Sequence, residues 1–321
     1  MKFVHQDEEW RDLLAIVAST TGKQVAFVEK DYWAAHALWA LGDQGFEIWF
    51  KGGTSLSKGF SLIERFSEDL DLRLDAGTVA GLTTPVLPWD DSKKNRRQRG
   101  IAEREAWFQS LAARILVPGC SVRRNPLGSD ERVRSAWIEV AYPILHAAAL
   151  PPEMRDFVLL EVGHARVVPS VDCQLSSWVH DYLGSVGQIA TFVDNRPRLV
   201  RCVHPLVTCL EKLEAIARKF DKGKAAADFV RHYEDAARIV VRREALPPLA
   251  DGLPNLVARL ADEDGKRMPP ASHAAFNPAD DERWRLLESA WVAIGPMYWG
   301  PRVALTDATA VLRAFLSGLE G

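Results

Sequence analysis

FKGGTSLSKGFSLIERFSEDLDLRLD, residues 50–75, places two glycines and two hydroxyl side chains ahead of an apolar run with helical spacing. It then sets two aspartates one residue apart in EDLDLRL, where polar and apolar residues alternate with the period of a half-buried strand. On a strand, residues i and i+2 share a face, with Cα atoms roughly 6.5–7 Å apart. Asp69 and Asp71 therefore project side by side, while Leu70 and Leu72 turn to the core. Two anions held together repel unless a cation or protons compensate. Hard carboxylate oxygens suit Mg²⁺, which keeps several waters and takes one or two protein carboxylates plus substrate phosphates. A pair of such ions organises in-line displacement at phosphorus. Ahead of the aspartates, Gly52 and Gly53 let backbone approach a phosphate. Thr54 or Ser55 is expected to cap the following helix, whose free N–H groups favour an anion. An Asp-x-Asp pair or a Gly-Gly turn alone is commonplace; their order and helix-sized spacing favour phosphate chemistry over a solvated strand face.

The rest of the chain narrows the class. Its 321 residues are enough for about two domains. Forty Lys and Arg against forty-three Asp and Glu leave a net charge of −3, so only a local basic cluster argues for nucleic acid or a membrane surface. MKFVHQDEEWRDLLAIVAST is broken by acids and reads as an amphipathic helix, not a signal peptide. No run approaches the roughly 20 apolar residues of a membrane span. Cys120, Cys173, Cys202 and Cys209 are too scattered for a zinc cluster and read as reduced thiols in a cytoplasmic protein. The histidines form no metal-ligand pair at helical spacing, and the tryptophans read as core or helix-interface residues.

Residues 7–42 carry helical periodicity ending at Gly42, and FEIWF is a short strand feeding the glycines. From 76 to 100 the chain is punctuated by Gly, Pro and Asp and ends in SKKNRRQRG, a loop or the start of a helix. IAEREAWFQSLAARIL is helical; SAWIEVAYPI and, after the turn LPPEMRD, FVLLEVGHARV read as strands. Beyond about 185 the texture is helical, with PLVTCLEKLEAIARKF and ADFVRHYEDAARIVVRRE as amphipathic helices. The fold class is α+β: a small mixed sheet flanked by N-terminal helices (1–45), a core over 46–190, and a helical C-terminal domain over 191–321. Lys212 stands near the edge of the apolar stripe formed by Leu210, Leu213 and Ile216.

KGGTSLSK followed by ERFSEDLDL resembles the signature of the AbiEii/AbiGii-type nucleotidyltransferases. These are toxin components of bacterial toxin–antitoxin and phage-abortive systems, within the DNA-polymerase-β-like superfamily and related to the MenT toxins. Fifteen residues separate Gly53 from Asp69, somewhat more than in the family's tightest versions. VEKDYW (28–33), VLLEVG (158–163), EKLEAIAR and RHYEDAARI extend the resemblance over about residues 28–240.

The resemblance implies a Mg²⁺-dependent (or Mn²⁺-dependent) transfer of NMP from an NTP to an acceptor hydroxyl, a tRNA 3′ end among the candidates. It also implies a winged-helix antitoxin encoded by a neighbouring gene. Asp69, Asp71 and Glu161 are implied metal ligands, with Glu161 a candidate to deprotonate the hydroxyl and Glu139 a rival for its place. Gly52, Gly53, Thr54, Ser55, Arg65, Ser67 and Lys212 are implied nucleotide contacts, with Arg218 a weaker candidate. Asp235 would orient Lys212 or close the pocket, beside Arg231 and His232, in a cleft between core and helical domain. Arg65 contacts phosphate or braces the loop; Lys51 neutralises phosphate or ends its strand. Glu29, Lys30 and Asp31 read as a structural ion-pair network. Lys93, Lys94, Arg96, Arg97 and Arg99 read either as an RNA contact or as a solvated loop. Two alternatives stand beside this reading. One is a nucleotidyl- or phosphotransferase acting on a protein or small molecule. The other is a non-catalytic nucleotide-binding interaction module, whose phenotype Asp71→Ala would leave intact.

Overall fold

The alternation in EDLDLRLD becomes strand β2 (Asp69–Asp75), every second residue buried, paired antiparallel with β1 (Glu47–Lys51). The structure, a computed structural model, describes residues 1–320 except 66, 68, 86–92, 152–153, 165 and 199. Residues 86–92 of the expected 76–100 loop and the two residues after Pro151 in the LPPEMRD turn lie outside the described residues.

The mixed sheet holds seven described strands in the order β3-β4-β5-β2-β1-β7-β6. Its remaining members are β3 (Ser121–Asn125), β4 (Ser135–Ala141), β5 (Val158–Gly163), β6 (Ser170–Cys173) and β7 (Val200–Val203). Pairing is parallel for β2–β5 and β1–β7, antiparallel for β4–β5 and β3–β4. Helical flanks complete the expected α+β class. Strands β3, β6 and β7 were not visible in the residue pattern. SVRRN carries two arginines, one paired with Glu105 and the other with Glu139. SVDC and VRCV are too short for a period-two signal, so a strand lies inside the stretch read as helical beyond 185.

Register divides the sheet into two chemically distinct faces. Phe50, Leu70, Leu72, Leu74, Ile138, Val140, Leu160 and Val162 turn one way, all buried. The other face carries the charged residues. Helix α1 (Trp10–Thr21) stops at Gly22, whose φ of +66° suits a residue without Cβ. Helix α2 (Val25–Asp43) is buried on nearly every side, packing with α1 and with α5 (Trp178–Ser185). Helix α3 (Gly52–Lys58) follows β1 directly, and α4 (Lys94–Arg114) begins within the basic run, so SKKNRRQRG is the start of a helix.

The chain divides into two compact units. One comprises Met1–Thr54, Glu68–Val167 and Asp172–Cys202; the other comprises Ser55–Ser67, Val168–Val171 and Val203–Gly321. In the second, α6 (Pro205–Asp221) and α7 (Arg231–Val241) pack together, and α10 (Leu305–Glu320) packs on α7. Helix α6 buries the stripe Leu206, Leu210, Leu213, Ile216 and Phe220; proline at its first position and a His204 side chain accepting from the Leu206 N–H start it. Helices α8 (Gly252–Asp264) and α9 (Glu282–Ala293) complete the helical set. None of the four cysteines is in a disulfide.

Candidate active site

Strand pairing gathers one rank of side chains across the polar face of the first unit. Lys51 pairs with Asp71, Asp71 with Glu161, and Glu161 with Trp137. Asp69 lies two residues back on β2, on the same face. Gly52 immediately follows Lys51 with φ +76°, and a Cβ there would lie 1.7 Å from Asp71 Oδ2. Only glycine satisfies both the left-handed backbone and the carboxylate resting above it. Thr54 and Ser55 are not caps, because α3 already begins at Gly52. Thr54 Oγ1 instead donates to the Asp69 carbonyl at 2.9 Å, tying the glycine turn to the aspartate strand. Ser55 is buried, its hydroxyl without a hydrogen-bond partner among the described residues.

Arg155 joins this rank, and the sequence pattern did not reveal it. Its Nη1 donates to Asp69 Oδ1 at 2.8 Å, and its guanidinium lies 5.2 Å from the Trp137 ring centroid. Arg155 is held from behind. Lys30, 1% exposed inside α2, donates from Nζ to the Arg155 carbonyl at 2.7 Å. On either side of Lys30, the Glu29 carboxylate accepts from the Leu145 and His146 N–H groups at 2.7 and 3.0 Å. Asp31 accepts from the Trp178 N–H at 2.9 Å, at the start of α5. In these contacts Glu29, Lys30 and Asp31 pin backbone in three separate segments. Buried charges need such charge-assisted bonds, and a loop offers them carbonyl and N–H groups that no strand satisfies. The signal was VEKDYW itself, three charges within an otherwise apolar helix.

Glu161 and its rival Glu139 stand in different surroundings. Glu139 accepts from Arg123 Nε at 2.5 Å and Asn125 Nδ2 at 2.7 Å, and it pairs with Leu159, not with an aspartate. Burial pushes the Glu161 carboxyl up to about 7, the charges of Asp71 and Asp69 adding to the rise while Lys51 and Arg155 oppose it. Around Glu161 the rank thus sets two further carboxylates against the two cations Lys51 and Arg155. No group of three His, Cys, Asp or Glu side chains among the described residues is arranged as a ready metal site, and Asp69 is turned to Arg155. In chemistry the donors fit a hard divalent cation: all oxygen, two carboxylates in register, and a proton affinity raised where a cation would lower it.

The second unit holds its own charged cluster. Arg65 grips Asp235 with two bonds, Nε to Oδ1 at 2.9 Å and Nη2 to Oδ2 at 2.7 Å. Lys212 Nζ lies 2.9 Å from Asp235 Oδ2 and 3.3 Å from His232 Nδ1. All three ionic residues are buried. Burial alone would raise the Asp235 carboxyl, but Arg65 and Lys212 hold it well below the usual carboxylate range. Burial pushes the Lys212 ammonium below its ordinary value, Asp235 pulling the other way. Two cations share the one carboxylate of Asp235. Beside it, fully buried Glu234 accepts from Arg238 and Arg302. Arg218 is paired with Glu214 at 2.8 Å, and Ser67 is half-buried two residues beyond Arg65. Lys93, Lys94, Arg96 and Arg99 are exposed, with Arg97 partly so, at the start of α4.

Comparison with known families places the chain. The family described as nucleotidyl transferase AbiEii toxin, type IV toxin–antitoxin system, matches residues 37–297, and the chain belongs to that family. The match begins beyond VEKDYW and continues past 240, where the resemblance had been read to end. Membership makes the chain a nucleotidyltransferase toxin and implies an antitoxin partner. No curated protein matches the chain. Among the described residues no helix is long and apolar enough to cross a membrane.

Proposed function

We propose that the chain transfers a nucleoside monophosphate from an NTP to an RNA 3′-hydroxyl, a tRNA end being the leading candidate. The observation that carries this reading is the rank Lys51–Asp71–Glu161 with Asp69 beside it, next to a glycine turn. Asp69, Asp71 and Glu161 would hold Mg²⁺, or Mn²⁺ by the same donor chemistry. Bound there, the cation would neutralise triphosphate charge and the charge that develops on the entering and leaving oxygens. The acceptor oxygen forms its bond to the α-phosphorus as the α–β bridge breaks, and pyrophosphate leaves. The hydroxyl proton would pass to a carboxylate of this rank. Lys212 would hold the triphosphate, its ammonium oriented by Asp235. The chain's residues act by positioning and charge neutralisation. The antitoxin would be a winged-helix protein encoded beside this gene.

The test incubates the protein and its Asp71→Ala variant with Mg²⁺, each labelled NTP in turn, and total cellular RNA plus protein. Label on a tRNA-sized band with wild type alone is the expected result. Label on a polypeptide would overturn the RNA acceptor. Bound Mg²⁺–NTP without any labelled product would overturn transfer to a macromolecule.

A further inference from the structure

A second concentration of charge lies at the C-terminal end of α6. Arg218, Lys219, Lys222, Lys224 and Arg231, with Asp228 as the one carboxylate, line an open cavity of about 420 Å³. Five cations against one acid stand out in a chain whose net charge is −3. Arg218 is partly answered by Glu214, and Lys219 Nζ donates to the Asp228 carbonyl at 2.9 Å. The side chains of Lys222, Lys224 and Arg231 have no hydrogen-bond or ion-pair partner among the described residues. The cations act on one another: burial lowers the Lys219 ammonium from its ordinary value, and Arg231, Arg218 and Lys212 push it further down.

The cavity continues the row begun by Lys212. Lys219 follows it by seven residues, two turns along the same helical face, a rise of roughly 10 Å. Arg231 precedes His232, the residue that contacts Lys212. Roughly 10 Å corresponds to about three phosphates of a polynucleotide strand, at about one charge per 3.4 Å. The lining has no aromatic side chain and a single alanine as its only apolar member, so it offers no platform for a base. Small-ligand pockets are mostly apolar with few polar groups, whereas lysine and arginine on phosphates position a strand without reading its sequence.

We infer that this cavity binds the phosphate backbone of the RNA acceptor, leading away from Lys212, with Lys222, Lys224 and Arg231 as its principal contacts. The inference rests on the RNA-acceptor reading above. It is tested by binding a labelled single-stranded RNA to the full-length Asp71→Ala protein over a salt series, without NTP. The same series is run with Lys222→Gln, Lys224→Gln and Arg231→Gln added. Each single-strand phosphate contact contributes about 0.7 to the slope of log affinity against log salt, so three lost contacts flatten it by about 2. A variant with only the two exposed lysines changed flattens it by about 1.4 and covers the case in which Arg231→Gln misfolds. Mg²⁺–NTP affinity, measured with Asp71 intact, stays unchanged when the two lysines alone are changed. An unchanged slope overturns the inference, as does a loss of NTP affinity with the RNA slope intact, which would make the cavity a triphosphate site. A flattened slope upholds the cavity even if the wild type labels no RNA; that absence counts against the transfer reading alone. Labelled RNA with an unchanged slope counts only against the cavity.

Discussion

Glu161 makes the electrostatics of the carboxylate rank measurable. A carboxyl whose folded pKa stands near 7 against an ordinary 4.5 is more easily ionised in the unfolded chain. Its contribution to stability is therefore fully present below about pH 4.5 and is lost as pH rises through about 7. Glu161→Gln should gain on the wild type over that window by at most about 3 kcal/mol, less after solvent screening of a partly exposed group. Denaturant titrations of both proteins across the window check this, and parallel curves would refute it. Lys30 gives a second residue-scale expectation. Lys30→Met leaves the Arg155 carbonyl without its buried donor, costing about 1–3 kcal/mol. It should also loosen Arg155 from Asp69 and lower activity beyond what the stability loss explains. Lys30→Met with full activity in its folded fraction would show that the anchoring does not matter to the site.

The N-terminal helices meet the segment after β6 through an uncharged hydrogen-bond chain, and its directions follow from the partners. Ser177 Oγ donates to His180 Nδ1, His180 Nε2 donates to Asn195 Oδ1, and Asn195 Nδ2 donates to His36 Nδ1. His36 Nε2 then donates to the Pro118 carbonyl at 2.9 Å. Each imidazole is therefore neutral, and burial pushes His36 down to about 4. The unfolded chain protonates first, so stability falls as pH drops from about 6.5 to about 4, by up to about 3 kcal/mol for His36. His36→Gln should start less stable but lose less over that range; equal losses would contradict a neutral buried imidazole.

Such chains are not legible in sequence, because Asn195 and His36 are far apart in the chain and no local pattern pairs them. What was legible is local: the alternation of β2, the apolar runs of β4 and β5, and the stripe of α6. Asp69, Asp71 and Glu161 share a face because strand periodicity says where each points, and pairing only brings their strands together. Arg155 was invisible because it lies in an irregular turn and gains its place from Lys30 in a distant helix. Lys212 reads as a stripe-edge residue in sequence, whereas the fold buries it by supplying Asp235 from the next helix.

At the scale of the whole molecule, each compact unit carries its own charge cluster. The Arg65–Asp235 contact joins residues 170 positions apart, so a local substitution tests global stability. Asp235→Ala leaves Arg65 and Lys212 buried without their shared carboxylate and should cost about 3–5 kcal/mol. Thermal unfolding would register it, and a change under about 1 kcal/mol would mean that the cluster relaxes or is hydrated. The proposed activity is tested on the phosphate that is transferred. The most direct measurement supplies the NTP labelled at the α-phosphorus in one reaction and at the γ-phosphorus in another, with RNA and either wild type or Asp71→Ala. Nucleotide transfer predicts RNA labelled from the α position only, pyrophosphate released in step, and neither product with Asp71→Ala. RNA labelled from the γ position, or α-label undiminished by Asp71→Ala, would contradict it.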